Sequence, residues 1–250
     1  SWYRRQRQMC IRDRISLGLS LLLVISACTN NENKHEAAID LAVAWVEASY
    51  TSQDAALSMV NENMADEGVS LSDRYVGFGF VWNPEGDGMV IDYVVPESPA
   101  AGVLMEGDSF IEVNGIKLTN ENRNNLGFRG KPGENVDAVI IRDGVEKPIS
   151  IARGPVQIRY SKEQVVNNIS NGDAESWGPE DFNIIEAGVT NDGVVYVLHW
   201  SEFVEDATGY KANAYTVTRF MFDEEGKVAW VGNLSEDRFV LEQQGWKITR

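Results

Sequence analysis

Residues 75–115 read YVGFGFVWNPEGDGMVIDYVVPESPAAGVLMEGDSFIEVNG, and the fold of the chain turns on this stretch. It opens with a Gly-x-Gly turn between aromatics, Val76-Gly77-Phe78-Gly79-Phe80, then gives an apolar strand from Met89 to Val95. A small-residue turn into a short helix (Ser98 to Leu104), a Gly107-Asp108 turn and a strand from Ser109 to Val113 follow. Asn114-Gly115 closes the stretch with a strong hairpin signal. Gly77 and Gly79 permit backbone angles closed to other residues. Successive N–H groups there are expected to converge on a carboxylate. The segment Phe78 to Trp82 is expected to offer an open edge to which an extended peptide adds as a strand. Taken alone, the Gly-x-Gly is also what a core strand with two bends would show.

In this order the pieces resemble a PDZ domain of the bacterial (HtrA) type, over about residues 75–154. Downstream, Lys131-Pro132-Gly133-Glu134 and a hairpin turning at Asp143-Gly144 continue the same pattern. The resemblance implies a groove binding a peptide or protein C-terminus, made by Val76, Gly77, Phe78, Gly79, Phe80 and Leu126. Its second wall would be a helix from Thr119 to Leu126. That segment, TNENRNNL, is nearly all polar where peptide-binding relatives place apolar residues, so a shallow, wet groove is expected.

Residues 1–14, with Arg4, Arg5, Arg7, Arg12 and Arg14, read as a leader or an assembly scar. Ile15 to Cys28, ISLGLSLLLVISAC, is too short to span a bilayer comfortably and reads as the apolar part of a signal peptide. Its end, Val24-Ile25-Ser26-Ala27-Cys28, resembles a bacterial lipobox. That resemblance implies cleavage after residue 27, lipid on Cys28 and anchoring to a bacterial membrane, with Thr29 compatible with the outer membrane facing the periplasm. Residues 28–35 would be a tether. The only other cysteine is Cys10, so the folded part carries neither disulfide nor thiolate chemistry, and no metal or other cofactor is expected. A net charge of −16 argues against non-specific binding to nucleic acid.

Residues 36–50 carry Ile39, Val43, Val46 and Tyr50 at helical spacing, and Ser52 caps a second helix, Gln53 to Asn61. Asn63 to Asp73 reads as a loop or short strand. After residue 154, Ser161 to Ser170 is helical, and strands are expected over 182–189, 194–204, 210–223 and 227–234, with Val195, Val197 and His199 on one face and Tyr196, Leu198 and Trp200 on the other. The ending RFMFDEEGKVAWVGNLSEDRFVLEQQGW resembles the last strands of SnoaL-like proteins, of the ketosteroid-isomerase type of cone-shaped α+β fold. On that resemblance the chain is an α+β protein in which residues 36–74 and 155–250 form one discontinuous domain. The PDZ module, residues 75–154, is inserted into it.

Proteolysis is not supported: no Gly-x-Ser-x-Gly occurs, and His199 is the only histidine besides His35, which lies in the tether. A cone-fold enzyme needs a general base and an oxyanion donor in one pocket. Candidates are His199, Arg219 and Asp237, with Tyr196 and Trp230 beside them. His199 also reads as a satisfied sheet residue, and Asp237 as a helix cap or a partner of Arg238. The expectation is an anchored, non-catalytic protein that docks a peptide or protein. The alternative is a small-molecule binding protein or isomerase using the cone pocket, with the PDZ module as regulator.

Overall fold

The computed structural model describes residues 21–83, 86, 88–123, 126–204 and 209–245. Of the leader and signal peptide read over residues 1–27, residues 1–20 lie outside them. The architecture is mixed α+β, with two six-stranded sheets and a two-stranded ladder between them.

Helix α1 spans Leu21–Thr51 and α2 Gln53–Asn63. The expected break before residue 36 is absent: the segment read as a tether, residues 28–35, continues the helix. No helix among the described residues is long and apolar enough to cross a membrane. Ser52 separates the two helices as the sequence suggested, its Oγ accepting the Ala55 N–H at 3.1 Å. Helix α3, Lys162–Ser170, begins with a capping box in which Ser161 and Gln164 each bond the other's backbone. These helices are laced together by polar contacts. The Gln53 amide donates to the carbonyls of Ile169 (2.7 Å) and Gly172 (2.8 Å), and Trp177 Nε1 donates to the Ser49 carbonyl.

The helices cover one face of a sheet made of β1 (Met64–Leu71), β10 (Arg159–Ser161), β11 (Asp181–Val189), β12 (Val195–Val204), β13 (Lys211–Phe222) and β14 (Val228–Ser235). Its order is β10-β1-β14-β13-β12-β11, with β11 to β14 forming the expected antiparallel meander. The segment read as a loop or short strand is β1, which pairs parallel to β14. Alternation on β12 is as read: Val195, Val197 and His199 are buried, and Tyr196 lies on the opposite, solvent-facing side. Ala42, Trp45, Val46, Val60, Met64, Phe220 and Val228 complete this core. Each fully buried side chain of this size contributes about 1.5–3 kcal/mol.

Strands β1 and β10 lie side by side and antiparallel, with Leu71 opposite Arg159. The Ser72 N–H donates to the Ile158 carbonyl at 3.0 Å, and the Ile158 N–H donates to Ser72 Oγ at 2.9 Å. The chain therefore leaves this sheet at residue 72 and returns to it at residue 158 through one hydrogen-bonded neck. Everything between hangs from that neck as if from a hairpin.

Between those residues lie β2 (Tyr75–Gly77), β3 (Phe80–Trp82), β4 (Met89–Val94), β5 (Ser109–Val113), β6 (Ile116–Lys117), β7 (Asn135–Arg142), β8 (Val145–Ala152) and β9 (Gly154–Val156). β2 pairs with β9, and the second large sheet runs β3-β4-β5-β7-β8 with β6 on β5. Asn114-Gly115 and Asp143-Gly144 turn the β5–β6 and β7–β8 hairpins, all four residues at positive φ. Two segments expected to be helices are turns among the described residues. Ser98 to Leu104 is a run of turns, closed by the Leu104 N–H on the Ala100 carbonyl, because Pro99 and a left-handed Gly102 prevent propagation. Thr119 to Arg123 is likewise a turn, in which the Asn122 side chain accepts the Thr119 N–H while the Asn122 and Arg123 N–H groups both fold back on the Thr119 carbonyl, at 3.3 and 3.2 Å. Asn124 and Asn125 lie outside the described residues.

Asp108 anchors this half. It is buried, and both its oxygens meet the Arg142 guanidinium at 2.6–2.7 Å while accepting the Met105 N–H. Burial pushes its carboxyl up, but Arg142 and the Met105 N–H outweigh that and hold it below the usual carboxylate range.

Candidate functional site

Strand β3 is the edge of its sheet. The Val95 N–H donates to the Gly79 carbonyl at 2.9 Å, and Phe80 stands opposite Val94. In an antiparallel ladder this makes Phe80 and Val94 a non-hydrogen-bonded pair, so the Phe80 N–H and C=O point away from β4 toward the free edge. Just before it, the Phe78 carbonyl accepts from Ala100, and the Gly79 carbonyl also accepts from Ser98 Oγ at 3.2 Å. Both carbonyls are thus turned inward, and among the described residues the N–H groups of Phe78 and Gly79 have no acceptor. Three consecutive amides, at Phe78, Gly79 and Phe80, are left over at one end of an open edge.

Gly79 alone of the two loop glycines uses a positive φ, +89°. A Cβ there would sit 2.3 Å from Ser98 Cβ, so no side chain fits. Gly77 departs from expectation: it lies in β2 with ordinary strand geometry, and its role is close approach. A Cβ on it would lie 2.8 Å from the Tyr75 ring and 3.3 Å from the Phe128 carbonyl.

Beside the edge is a cleft of about 550 Å³. Phe78, Gly79, Phe80 and Leu126 line it as read from the sequence, whereas Val76 and Gly77 belong to the β2–β9 ladder and do not. The sequence reading missed Tyr75, Trp82, Met89, Arg123, Phe128 and Arg129. The wall opposite β3 is consequently not the polar surface expected. Phe128 packs its ring 5.0–5.6 Å from those of Phe78, Phe80 and Phe110, forming an aromatic floor. At one end Arg123 lies over the Trp82 ring at 5.0 Å and donates to the Gly86 carbonyl at 2.9 Å. At the other, Arg129 lies over the Tyr75 ring at 4.6 Å.

The second region considered was the sheet pocket. His199 is 2% exposed, with Nδ1 at 3.1 Å from Tyr50 Oη and Nε2 at 2.9 Å from Thr218 Oγ1. A smaller cavity of about 180 Å³ lies against these three residues, with Trp45, Ser70 and Asn233 on its walls. Burial pushes the His199 imidazole down to about 4, so it is neutral at pH 7. Burial likewise raises the Tyr50 phenol, with the Ser201 hydroxyl pulling weakly the other way. The other two candidates are elsewhere. Arg219 follows Thr218 on β13 and so points through the opposite face, where it stacks on Trp230 at 4.6 Å and reaches Tyr196 Oη at 3.3 Å. Asp237 starts α4 (Asp237–Gln243) on the surface, close enough to Asp73 to help raise that carboxyl after burial has done most of it. It neither caps α4, whose N-cap is Glu236, nor pairs with Arg238, which bonds Glu242. The three do not converge.

The strand order, the Gly79 loop and the cleft beside an open edge give residues 75–156 a PDZ-like fold. No protein-family model matches the sequence, and no curated protein matches it either. Among solved structures, the PDZ domain of a carboxy-terminal protease from Vibrio cholerae, in complex with peptide, is 24% identical with a TM-score of 0.30, over 34% of this chain and 98% of that one. A serine endoprotease from Yersinia pestis is 21% identical with a TM-score of 0.27, and the likeness covers 33% of this chain and 30% of that protein. A phenazine biosynthesis-related protein from Pseudomonas aeruginosa is 13% identical with a TM-score of 0.29, over 39% of this chain and 60% of that one.

Proposed function

We propose that this protein docks an extended peptide, as a further strand on β3, in the cleft between β3 and Leu126–Arg129. The observation that carries this reading is the row of unused amides at Phe78, Gly79 and Phe80 beside an aromatic floor. An incoming strand satisfies the edge through main-chain hydrogen bonds, and alternate side chains drop onto Phe80 and Phe128. A peptide also bound in the Vibrio cholerae PDZ structure is in keeping with this.

The rest of the chain is read as a carrier for that cleft. The His199 site consumes its own polar atoms, and Arg219 and Asp237 do not join it, which favours a structural role over catalysis. The neck at residues 72 and 158 supports an inserted module in a discontinuous, SnoaL-like host. Lipid on Cys28, after removal of residues 1–27, would hold the protein on a bacterial outer membrane facing the periplasm. Incorporation of labelled palmitate, abolished by Cys28→Ser, tests the anchor; equal labelling of the variant refutes it.

The docking reading is tested by amide exchange of the full chain. Saturating peptide should slow exchange at Phe78, Gly79 and Phe80 specifically. A library of C-terminal peptides that leaves these three amides unprotected at millimolar concentration sinks it. Gly79→Glu is unsuitable as a control, because its side chain collides with Ser98 and disrupts the loop whatever the ligand.

A further inference from the structure

We infer that a cavity at the neck, separate from the cleft and from the His199 pocket, is a second ligand site, charged to take a small acidic amino acid. This goes beyond peptide docking and stands whether or not a peptide binds.

The cavity measures about 260 Å³, and its walls come from both sides of the neck and from the turn after β4. Sites for drug-sized ligands run to about 300–1,000 Å³, so this one suits a smaller molecule. Arg74 immediately precedes β2 on the outgoing side, and Arg159 opens β10 on the returning side. Glu97 enters from the turn. Among the described residues neither guanidinium has an ion pair or a hydrogen bond, and the Glu97 carboxylate has none either. Gln157 is fixed beside them. Its Nε2 donates to the Ser72 carbonyl at 3.0 Å, which leaves its Oε1 as an acceptor on the wall.

Glu97 is the telling residue. Its φ is +61°, at the third position of a turn in which the Ser98 N–H donates to the Val95 carbonyl at 3.3 Å. With Pro96 at the second position, this is the place a type II turn reserves for glycine or asparagine. Glutamate there works against the local backbone. The residue is exposed, so packing does not require it. What it contributes is a carboxylate on the cavity wall, opposite in sign to the two arginines.

Two guanidiniums and one carboxylate complement a ligand with two carboxylates and one ammonium. An acidic α-amino acid carries that set. Its carboxylates take charge-assisted bonds from Arg74 and Arg159, and its ammonium donates to Glu97 and to Gln157 Oε1. A plain dicarboxylate leaves Glu97 facing like charge, and a neutral amino acid leaves one guanidinium unmet. The same cavity backs the Gly79 loop. On its wall the Val95 N–H and Ser98 Oγ both donate to the Gly79 carbonyl, at 2.9 and 3.2 Å. A ligand there bridges the neck and the loop.

The test is calorimetric titration of the full chain with L-glutamate, L-aspartate, L-glutamine and glutarate. One of the two acidic amino acids should bind at least about tenfold tighter than L-glutamine, which lacks the second negative charge, and than glutarate, which lacks the ammonium. Arg74→Gln and Arg159→Gln should each weaken it by about tenfold or more. Glu97→Gly should erase the preference over glutarate while melting no lower than the parent, because glycine accepts the turn. Saturating ligand should also slow amide exchange at Val95 and Ile158, which tie the loop and the neck. Acidic amino acids that bind no tighter than L-glutamine and glutarate, or that do not bind at millimolar concentration, overturn the site. Binding that survives both arginine substitutions overturns it too, since the ligand then sits elsewhere.

Discussion

The cleft beside β3 and the pocket around His199 are both lined by aromatics and polar groups, yet they differ in what they leave unused. At the cleft, the amides of Phe78, Gly79 and Phe80 have no hydrogen-bond acceptor among the described residues, and the Arg129 guanidinium is engaged there only through the Tyr75 ring. At the pocket, Tyr50 takes one imidazole nitrogen and Thr218 the other, and no buried side-chain polar atom among the described residues lacks a partner. Residual donors at an open edge are capacity for a ligand. A network that satisfies itself is a device for holding α1 against β12 and β13. Distinguishing the two requires hydrogen-bond accounting, because burial and residue type alone mark His199 as the more suspicious residue.

The sharpest way to break the comparison is at Gly79. Gly79→Ala places a Cβ 2.3 Å from that of Ser98 at a φ of +89°. The expected loss is about 3 kcal/mol or more of stability in the sheet from Phe80 to Ala152, together with all peptide binding. Urea melts of the variant check the first, and polarisation checks the second. A variant that melts normally and still binds would show the loop to be incidental.

His199 gives an effect of similar size but opposite meaning. Its folded value is pushed down to about 4, below the usual value near 6.5 for an unfolded chain. The unfolded state therefore binds the proton first. Stability is complete above about pH 6.5 and declines progressively to about pH 4, by roughly 3 kcal/mol in all. His199→Gln should flatten that window in a pH series of urea melts. Peptide affinity measured under conditions where the protein stays folded should not follow it. A parallel fall in affinity would mean that the two regions are coupled.

Asp108 separates from His199 by its sign and its range. Its folded value is depressed, so its contribution is present above the ordinary carboxylate value near 3.9 and is lost as pH falls through the lower folded one. Asp108→Asn leaves Arg142 without its counter-charge and should cost about 3 kcal/mol at pH 7. Loss of the acid-side slope below pH 4 in the variant is the confirming measurement.

How much of this was legible beforehand follows from the range of the interactions. Gly-x-Gly, Asn114-Gly115 and Asp143-Gly144 encode local backbone angles, and the period-two alternation of Val195, Val197 and His199 encodes a face. Each was readable because its cause lies within a few residues. The segment from Thr119 was expected to be a helix, whereas the Asn122 side chain ties it into a turn by accepting the Thr119 N–H, a side-chain contact that spacing does not encode. Phe128 and Arg129 stand between Gly127 and Gly130, where the sequence offers no alternation or helical spacing to place them. Phe128 takes its place in the cleft from Phe78, Phe80 and Phe110, 18 to 50 positions away in sequence, and Arg129 takes its place from Tyr75, and no periodicity connects these residues. Arg219 illustrates the converse. It is next to Thr218 in sequence and across the sheet from it in space.

That separation carries the smallest prediction and the finest test of the comparison. Arg219 lies on the uncovered face, stacked on Trp230 and near the Tyr196 hydroxyl, while Thr218 faces His199. Arg219→Gln should cost only the cation–π contact of a partly exposed pair, about 0.5–1 kcal/mol. It should leave the His199 titration, followed by imidazole proton shifts, where it was. Thr218→Val removes a partner from a buried nitrogen and should cost about 1–3 kcal/mol and move that titration. Neighbouring residues on one strand would then report two unconnected environments, as the two faces of a sheet require. If Arg219→Gln shifted the imidazole as much as Thr218→Val does, the His199 network would extend through the sheet, and its self-sufficiency, on which the contrast with the open cleft depends, would be lost.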